Sequence, residues 1–381
     1  MPVDVTSKLF TPVKVGALNL AHRVVMAPMS RMRSNEDDSV SDMMVDHYAQ
    51  RASKGALIIM EGSVAAANGR AYKGAPGLYD DRFIPGFSRI AHAVHAKGGL
   101  IFAQLYHGGR VSHTSLQPDG GSPVAPSAGP FSGHAATEEG EVVASPAREL
   151  TIDEIRAVIE EFRKAALRAK VAGFDGVELH SANGYLLDQF LEDSSNKRND
   201  IYGGSIENRA RFVLEVTNAA ISVFGPGRVA VRISPSGEFN EMSETDPEAL
   251  FGYLAQQLDK FPLAFLHIIE PRIYGNDDKV TATAIPPVAA AILRKHYKGT
   301  IMVAGGFLRD SAEAILQSGD ADVVAFGRYY TSNPDLPERL RRNLPLTKYQ
   351  RQYFYGKTPL GYNDYSVHEE LVSAGETNKT R

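Results

Sequence analysis

Three side chains able to donate hydrogen bonds lie close together in the stretch VELHSANGYLLDQFL (177–191). His180, Asn183 and Tyr185 follow an apolar run typical of a buried strand and precede a run typical of a helix. One interpretation is structural, because asparagine is a favoured helix N-cap and Asn183 could accept from an orphan backbone amide. The other is chemical, with all three side chains directed at one ligand. The stretch alone leaves both open.

Apolar runs that could be strands recur along the chain, and longer amphipathic segments separate them. Continuous apolar strands are expected where both faces of a sheet are covered, and strand–helix alternation indicates an α/β fold. The eight runs are VVMAPM (24–29), ALIIMEG (56–62), LIFAQLYH (100–107), GVELH (176–180), VAVRISP (229–235), FLHIIEP (265–271), IMVAGG (301–306) and DVVAFGR (322–328).

Eight such units predict one (β/α)8 TIM barrel that forms a single domain over residues 1–381. A doubly wound open sheet is the alternative, although no GxGxxG motif follows the first strand. Helices are predicted over 151–173, where Thr151 and Glu154 match a capping box, and over 205–225 and 309–319.

Two segments depart from the repeating pattern. Residues 108–149 are rich in Gly, Pro and Ser, and so long a connection after strand three predicts a functional lid or rim excursion. The polar residues 366–381 at the C-terminus are expected to form a flexible tail.

The composition excludes several functional classes. The chain is 43% hydrophobic and 23% charged, and its net charge of −4 argues against nucleic-acid binding. No apolar run is long enough to span a membrane, and the N-terminus lacks a signal-peptide pattern. The absence of cysteine excludes disulfides, thiolate nucleophiles and thiolate-bound metals. A reducing cytoplasm is compatible with this composition, and we expect the protein to be cytoplasmic.

Every predicted strand ends in polar or glycine residues. Barrel enzymes carry their chemistry at the carboxyl ends of the strands, so these residues together predict a polar-lined mouth. Each of them alone has a structural explanation, such as a satisfied backbone group or a tight turn. In strand order they are Ser30, Glu61 with Gly62, Gln104 with His107, His180 with Asn183, Arg232, Glu270, Gly305 with Gly306, and Gly327 with Arg328.

The last two strand ends predict a phosphate-bearing ligand. Their glycines allow close approach of backbone amides, and Arg328 can bind a phosphate through two hydrogen bonds. No strand end carries lysine, which argues against Schiff-base chemistry. Glu178 and His180 share one side of a strand, but no further metal motif accompanies them and Glu178 should lie deeper in the barrel. No metal site is therefore predicted.

From 9 to 365 the chain resembles the Old Yellow Enzyme family of FMN-dependent ene-reductases. The most specific matching motifs are APMSRMR, FAQLYHGGR, VAGG with VVAFGR, and GVELHSANGYLLDQFLEDSSNKRNDIYGGSIENRARF. The resemblance implies the same barrel, with FMN bound non-covalently and NADPH or NADH as the reductant.

By this resemblance, the flavin ring would lie along Pro28, Met29 and Ser30. Arg232 would stand where negative charge develops on reduction, and a fixed cation there favours reduced flavin. The full set assigned to FMN is Pro28, Met29, Ser30, Gly62, Gln104, Arg232, Gly305, Gly306, Gly327 and Arg328.

The resemblance also gives the opening stretch a chemical interpretation. His180 and Asn183 would donate hydrogen bonds to the carbonyl oxygen of an α,β-unsaturated substrate, and Tyr185 would protonate its α-carbon. Hydride from NAD(P)H would reach the β-carbon through FMN in a ping-pong cycle. Activated alkenes would be the substrates and phenols the inhibitors. Tyr72, Tyr106 and Tyr362 match positions around the substrate cavity.

The chain departs from the family at two of these positions. Ser30 stands where the family often has Thr or Cys, and Tyr106 where many members have Trp. The pocket shape, coenzyme preference and oligomeric state therefore stay open. Alternatives are another FMN barrel oxidoreductase in which His180 acts as a base, a metal-assisted hydrolase, and a non-catalytic binder of a phosphate ligand.

Overall fold

The computed structural model describes residues 7–129, 131–273, 287–369 and 371. At its centre lies a closed barrel of eight parallel strands. The TIM-barrel prediction is therefore confirmed, and the open-sheet alternative is wrong. The barrel strands are β1 (Val24–Met26), β2 (Leu57–Val64), β3 (Leu100–Tyr106), β4 (Gly176–Ser181), β5 (Val229–Ile233), β6 (Phe265–Ile269), β7 (Ile301–Ala304) and β8 (Val323–Phe326).

The strands pair in chain order, and β8 closes on β1 with Val324 opposite Val24. Apolar side chains pack on both faces of this sheet, which explains why the strands lack a polar face. One buried cluster joins the strands to the surrounding helices, and a second fills the lower barrel interior with residues such as Phe102 and Phe265. The register places His180 beside Arg232, and Arg232 beside His267.

Helices alternate with the strands as the sequence predicts. Thr151 and Glu154 form the predicted capping box, and the helix over 309–319 ends at Gly319 in a left-handed conformation, φ +83°. The helices are α1 (Asp42–Arg51), α2 (Ile84–His95), α3 (Ile152–Val171), α4 (Leu186–Leu191), α5 (Ile206–Phe224), α6 (Pro247–Leu258), α7 (Ala290–Leu293), α8 (Arg309–Ser318), α9 (Arg328–Ser332) and α10 (Leu336–Arg342).

An N-terminal hairpin that the repeating pattern did not predict closes the lower end of the barrel. Its strands, Val13–Val15 and Leu18–Leu20, pair antiparallel, and their side chains join the lower interior cluster. The turn at Gly16 has φ +55°, and the amide of Ala17 donates to the carbonyl of Gly227 at 3.0 Å. Burial of these apolar side chains stabilises the barrel at the end opposite the predicted mouth.

The excursion at 108–149 carries secondary structure of its own. It contains a hairpin, His134–Thr137 with Gly140–Val143, and a short parallel pair, Val124–Ala125 with Arg148–Glu149. In the predicted tail 366–381, residue 370 and residues 372–381 lie outside the described residues. No helix among the described residues is long and apolar enough to cross a membrane. Single 3-10 turns lie at Lys8–Phe10, Ala67–Gly69, Asp81–Phe83, Thr114–Leu116, Pro118–Gly120 and Arg351–Tyr353.

Candidate active site

A cavity of about 980 Å³ opens at the carboxyl ends of the barrel strands. Most of the residues that the sequence assigned to a site line this one cavity, although they come from distant parts of the chain. The lining residues among them are Pro28, Met29, Ser30, Tyr72, Gln104, His180, Asn183, Tyr185, Arg232, Gly305, Gly306, Gly327 and Arg328.

Two of the assigned residues lie behind the cavity wall. A Cβ atom at Gly62 would come within 2.9 Å of the Tyr106 ring, so Gly62 packs against that ring beside Gln104. Tyr106 is 2% exposed, and its ring centre lies 5.4 Å from that of Tyr185. Neither residue lines the cavity. Tyr106 therefore supports Tyr185 from behind, and the structure does not bring it to a substrate directly.

Tyr362, the third tyrosine assigned to the substrate cavity, is fully buried elsewhere. Its ring stacks on His47 at 3.8 Å, and the guanidinium groups of Arg31 and Arg33 lie 5.0 and 4.4 Å from the ring centre. Cation–π contacts of this kind hold the C-terminal segment against the barrel. The structure therefore gives Tyr362 a packing position and does not bring it to the cavity.

Three of the polar strand-end residues support backbone groups instead of lining the mouth. Glu61 accepts from the amide of Arg31 at 2.9 Å, and Glu270 accepts from the amide of Ala290 at 2.7 Å. His107 accepts from the amide of Gly109 at 3.0 Å, and burial lowers the pKa of His107 to about 3. These contacts support the structural interpretation of Glu61, Glu270 and His107, in which each side chain satisfies a backbone amide.

Beneath the cavity lies a layer of polar side chains from four successive strands. Glu178 is fully buried, and its two oxygens bond Nε2 of Gln104 at 2.8 Å and Nδ1 of His267 at 2.7 Å. The depth predicted for Glu178 is thus confirmed. Glu178 thus engages the amide nitrogen of Gln104, and the Gln104 carbonyl oxygen makes no hydrogen bond to a described residue.

Arg232 is the only arginine of this layer among the described residues, and its environment is unusual for a cation. It is 8% exposed, and its guanidinium makes no hydrogen bond to a residue that the structure describes. Burial lowers its pKa, while the nearby Glu178 raises it. A buried, unpartnered guanidinium is costly unless a ligand bonds it, so Arg232 fits an acceptor-rich group bound in the cavity.

His180 and Tyr185 stand together on one wall, with ring centres 4.9 Å apart. Burial, and then the charge of Arg232, lower the pKa of His180 well below its ordinary value, so its imidazole is neutral at pH 7. Neither imidazole nitrogen bonds a described residue. A neutral imidazole carries one N–H, which makes His180 a hydrogen-bond donor that a ligand can use.

Tyr185 has its hydroxyl bonded to that of Tyr72, and the two rings meet edge to face at 6.2 Å. Burial raises the pKa of Tyr185 well above 10, and the neighbouring Tyr72 raises it further. Tyr185 therefore stays protonated across the physiological pH range. Among the described residues, the Tyr185 hydroxyl bonds only that of Tyr72, so its proton can be passed to a group in the cavity.

Asn183 does not cap the helix that follows it, so the capping interpretation is wrong. The N-cap of α4 is Tyr185, and Asn183 lies two residues earlier in a left-handed conformation, φ +59°. Its carboxamide makes no hydrogen bond to a described residue. The chain therefore turns sharply after β4 and leaves the Asn183 side chain at the cavity wall.

At the other end of the cavity, the glycines that follow β7 and β8 form a cradle. Gly305 and Gly306 have φ +134° and +67°, values that disfavour other residues. A Cβ atom at Gly327 would lie 2.9 Å from the sulfur of Met29, so a side chain there would displace the cavity wall. Arg328 begins α9 beside this cradle. These residues suit a phosphate approached closely by backbone.

The sequence did not predict several residues that line the cavity rim. They lie on the excursion, on the loops after β5 and β7, and on the C-terminal segment, which approaches the cradle where Arg328 donates to the hydroxyl of Tyr349 at 3.4 Å. The long excursion and the aromatic tail were the available signals. These additional lining residues include Ser132, His134, Glu141, Ser234, Asn240, Phe307, Tyr349 and Tyr355.

Comparisons with known proteins agree with this geometry. Residues 8–347 match the model of the NADH:flavin oxidoreductase / NADH oxidase family. The flavin oxidoreductase hxnT of Emericella nidulans is 44% identical, over 94% of this chain and 97% of its own length. The 12-oxophytodienoate reductase 1 of Oryza sativa subsp. japonica is 41% identical, over 97% and 95%.

A solved structure, that of the old yellow enzyme homologue from Zymomonas mobilis, superposes with a TM-score of 0.90. It is 40% identical and covers 95% of this chain and 100% of that chain. The resemblance found in the sequence motifs is thus confirmed across nearly the full length. The chain belongs to the NADH:flavin oxidoreductase / NADH oxidase family, the family of Old Yellow Enzyme.

Proposed function

We propose that this protein is an FMN-dependent ene-reductase that uses NADPH or NADH to reduce activated alkenes. One observation carries the proposal. Two hydrogen-bond donors without partners among the described residues, His180 and Asn183, share a cavity with Tyr185, a protonated phenol. Such a constellation suits polarisation of a carbonyl followed by protonation of the neighbouring carbon.

The cavity residues fit FMN as the flavin. Ser30, Gln104 and Arg232 would bond the ring system, and the unpartnered guanidinium of Arg232 would face the edge that becomes anionic on reduction. The glycine cradle with Arg328 would hold the phosphate. When bound, FMN supplies the redox chemistry, accepting hydride from reduced nicotinamide and delivering it to the β-carbon of the alkene.

The chain's own groups perform the remaining work. His180 and Asn183 each donate a hydrogen bond to the substrate carbonyl oxygen, which draws electron density from the β-carbon and stabilises the enolate-like transition state. Tyr185 then gives its hydroxyl proton to the α-carbon. A phenol of raised pKa suffices for this step, because the acceptor is a developing carbanion and not water.

We expect small enones, enals and nitroalkenes to be substrates and phenols to be competitive ligands. Since the nicotinamide and the alkene would use the same face of one cavity, the kinetics should be ping-pong. A stable ternary complex in steady-state analysis would contradict this. We also propose that the protein is cytoplasmic and that residues 1–381 form one functional domain.

The decisive experiment is the visible absorption spectrum of the purified protein, before and after addition of a para-substituted phenol. A flavin spectrum that gains a broad long-wavelength band would show a phenolate stacked on the flavin beside His180 and Asn183. A flavin spectrum without this band would contradict the assignment of the carbonyl-binding groups. A colourless protein that FMN cannot reconstitute would overturn the proposed function.

A further inference from the structure

Asn183 and Gly184, the two residues that precede the N-cap of α4, form a turn in which both have positive φ, +59° and +73°. A left-handed conformation is unfavourable for a residue with a side chain, and it persists at functional sites only where the surroundings enforce it. The position of the Asn183 carboxamide therefore depends on whatever holds this turn.

Side chains hold every backbone polar group of the turn. On its carbonyl side, Nδ2 of Asn240 donates to the oxygen of Asn183 at 2.8 Å, and Nε2 of Gln189 donates to the oxygen of Gly184 at 2.7 Å. On its amide side, the N–H of Asn183 donates to Oγ of Ser234 at 2.8 Å, and the N–H of Gly184 donates to Asp188 at 2.8 Å.

Ser234 and Asp188 join the two amide contacts into one chain. The Ser234 hydroxyl accepts from the Asn183 amide, which leaves its own proton to donate to Oδ2 of Asp188 at 3.4 Å. The same carboxylate oxygen accepts from Gly184. A strand end of β5 and a residue of α4 are thereby connected through the turn that carries Asn183.

The carboxyl group of Asp188 is buried and only partly hydrogen-bonded, which is energetically unfavourable. It is fully buried, and its second oxygen, Oδ1, has no hydrogen-bond partner among the described residues. Burial raises the pKa of Asp188 to about 7, against the opposing effect of the Gly184 amide. A buried carboxyl with an unused acceptor does not improve stability on its own. What Asp188 does provide is a contact with the turn, through the amide of Gly184 and the hydroxyl of Ser234.

We propose that Ser234 and Asp188 are positioning residues that fix the Asn183–Gly184 turn, so that the Asn183 carboxamide is held ready to bond the substrate carbonyl. They act through Asn183 and need not touch the substrate with their own side chains. This inference rests on the proposed function, because it takes Asn183 to be a ligand-binding donor.

A double-mutant cycle on phenol binding tests the proposal. The dissociation constant of a para-substituted phenol is measured by flavin absorbance for the wild type, Ser234→Ala, Asn183→Ala and the double variant. Ser234→Ala leaves a buried amide unpaired, so we expect roughly ten-fold weaker binding. We expect roughly a hundred-fold from Asn183→Ala, by comparison with loss of one oxyanion donor.

The double variant should bind no more weakly than Asn183→Ala alone, because the effect of Ser234 passes through Asn183. Additive losses, roughly a thousand-fold in the double variant, would overturn the inference, as would wild-type affinity in Ser234→Ala. Unchanged affinity in Asn183→Ala would instead contradict the proposed function. The two failures are thus distinguishable.

Ser236→Ala is the matched control in the same loop, since the Ser236 hydroxyl bonds the backbone of Val288 and makes no contact with the turn. An equal loss in this variant would also overturn the inference.

Asp188→Asn retains a carbonyl oxygen that accepts from Gly184 and Ser234, so it should bind phenol within about two-fold of wild type. Asp188→Leu should match Ser234→Ala, and wild-type affinity there would remove Asp188 from the proposal.

Discussion

The floor and the rim of the cavity are held in different ways. The floor consists of Gln104, Glu178, Arg232 and His267, which lie on adjacent strands and are buried in the barrel. The rim consists of the hairpin 134–143, the loop 237–241 and the C-terminal segment 349–355. Floor contacts follow from strand register, whereas rim contacts depend on loops and side-chain links.

The ion pairs that connect parts of the rim lie near solvent. Lys73, next to Tyr72, forms ion pairs with Glu36 at 3.1 Å and with Glu138 at the hairpin tip. Lys357 bonds the same Glu36 at 2.7 Å. Exposed pairs of this kind contribute little and are screened by salt. We therefore expect the floor and the wall above it to determine the rate of chemistry, and the rim to determine which alkenes enter.

The largest effect on alkene reduction should come from a change at Tyr185, on the cavity wall that it shares with His180. Tyr185→Phe removes the hydroxyl that we assign to proton transfer, and it should slow alkene reduction by roughly 10²–10⁴-fold. Reduction of the flavin by NADH or NADPH should be unaffected, because that half-reaction needs no proton from Tyr185. Stopped-flow absorbance under anaerobic conditions separates the two steps.

Tyr330→Phe is the matched control for this variant, since the buried Tyr330 hydroxyl has no hydrogen-bond partner among the described residues and does not line the cavity. It should leave both half-reactions unchanged. Equal slowing of both half-reactions in Tyr185→Phe would show that the pocket is disturbed and that no specific proton donor was lost.

His180→Ala should have the next largest effect. The neutral imidazole donates one hydrogen bond to the carbonyl oxygen, and loss of one such donor costs roughly 10²–10³-fold in the rate of the step it stabilises. Binding of a para-substituted phenol should weaken in parallel. If phenol affinity stayed at the wild-type value, His180 would not be a carbonyl-binding residue.

Apolar runs fix where strands end and a barrel brings those ends together, so the sequence could place Gln104, Arg232 and His180 at one mouth. It did not predict that His267 belongs to the floor. Arg232 and Glu178 were placed correctly on this argument alone. The path of loops has no comparable periodicity. Tyr362 was expected at the substrate cavity, but the structure buries it in an irregular C-terminal segment, from which Tyr355 lines the cavity.

Arginines that bind backbone carbonyls hold that segment, and no sequence pattern marks such contacts. Arg31 donates to the carbonyls of Phe354 and Gly361 at 2.9 and 2.7 Å, and Arg33 donates to that of Thr358 at 2.9 Å. A carbonyl acceptor is present at every residue, so the partner cannot be inferred from residue type. The same reason explains why Asn183 was equally compatible with a cap and with a ligand contact.

Tyr72 lies between the two regions and should show an intermediate effect. Tyr72→Phe removes the hydroxyl bonded to that of Tyr185, a contact that would hold the Tyr185 hydroxyl in place for proton transfer. A single hydrogen bond contributes roughly 0.5–1.5 kcal/mol, so alkene reduction should slow by about two- to twelve-fold. An effect as large as that of Tyr185→Phe would show that Tyr72 is the primary acid, and would reverse the assignment.

The smallest effect should come from the rim. Lys73→Gln breaks the ion pairs that join the hairpin tip to the loop containing Glu36, and the KM for bulky alkenes should change by less than about five-fold with kcat unaltered. The difference from wild type should shrink as salt concentration rises, since screening weakens the same pairs in the unmodified protein.

Arg156→Gln, which breaks an exposed pair with Asp153 on α3, is the control and should leave KM unchanged. A fall in kcat that persists at high salt would mean that the rim contributes to the chemistry itself, and the division between floor and rim would fail.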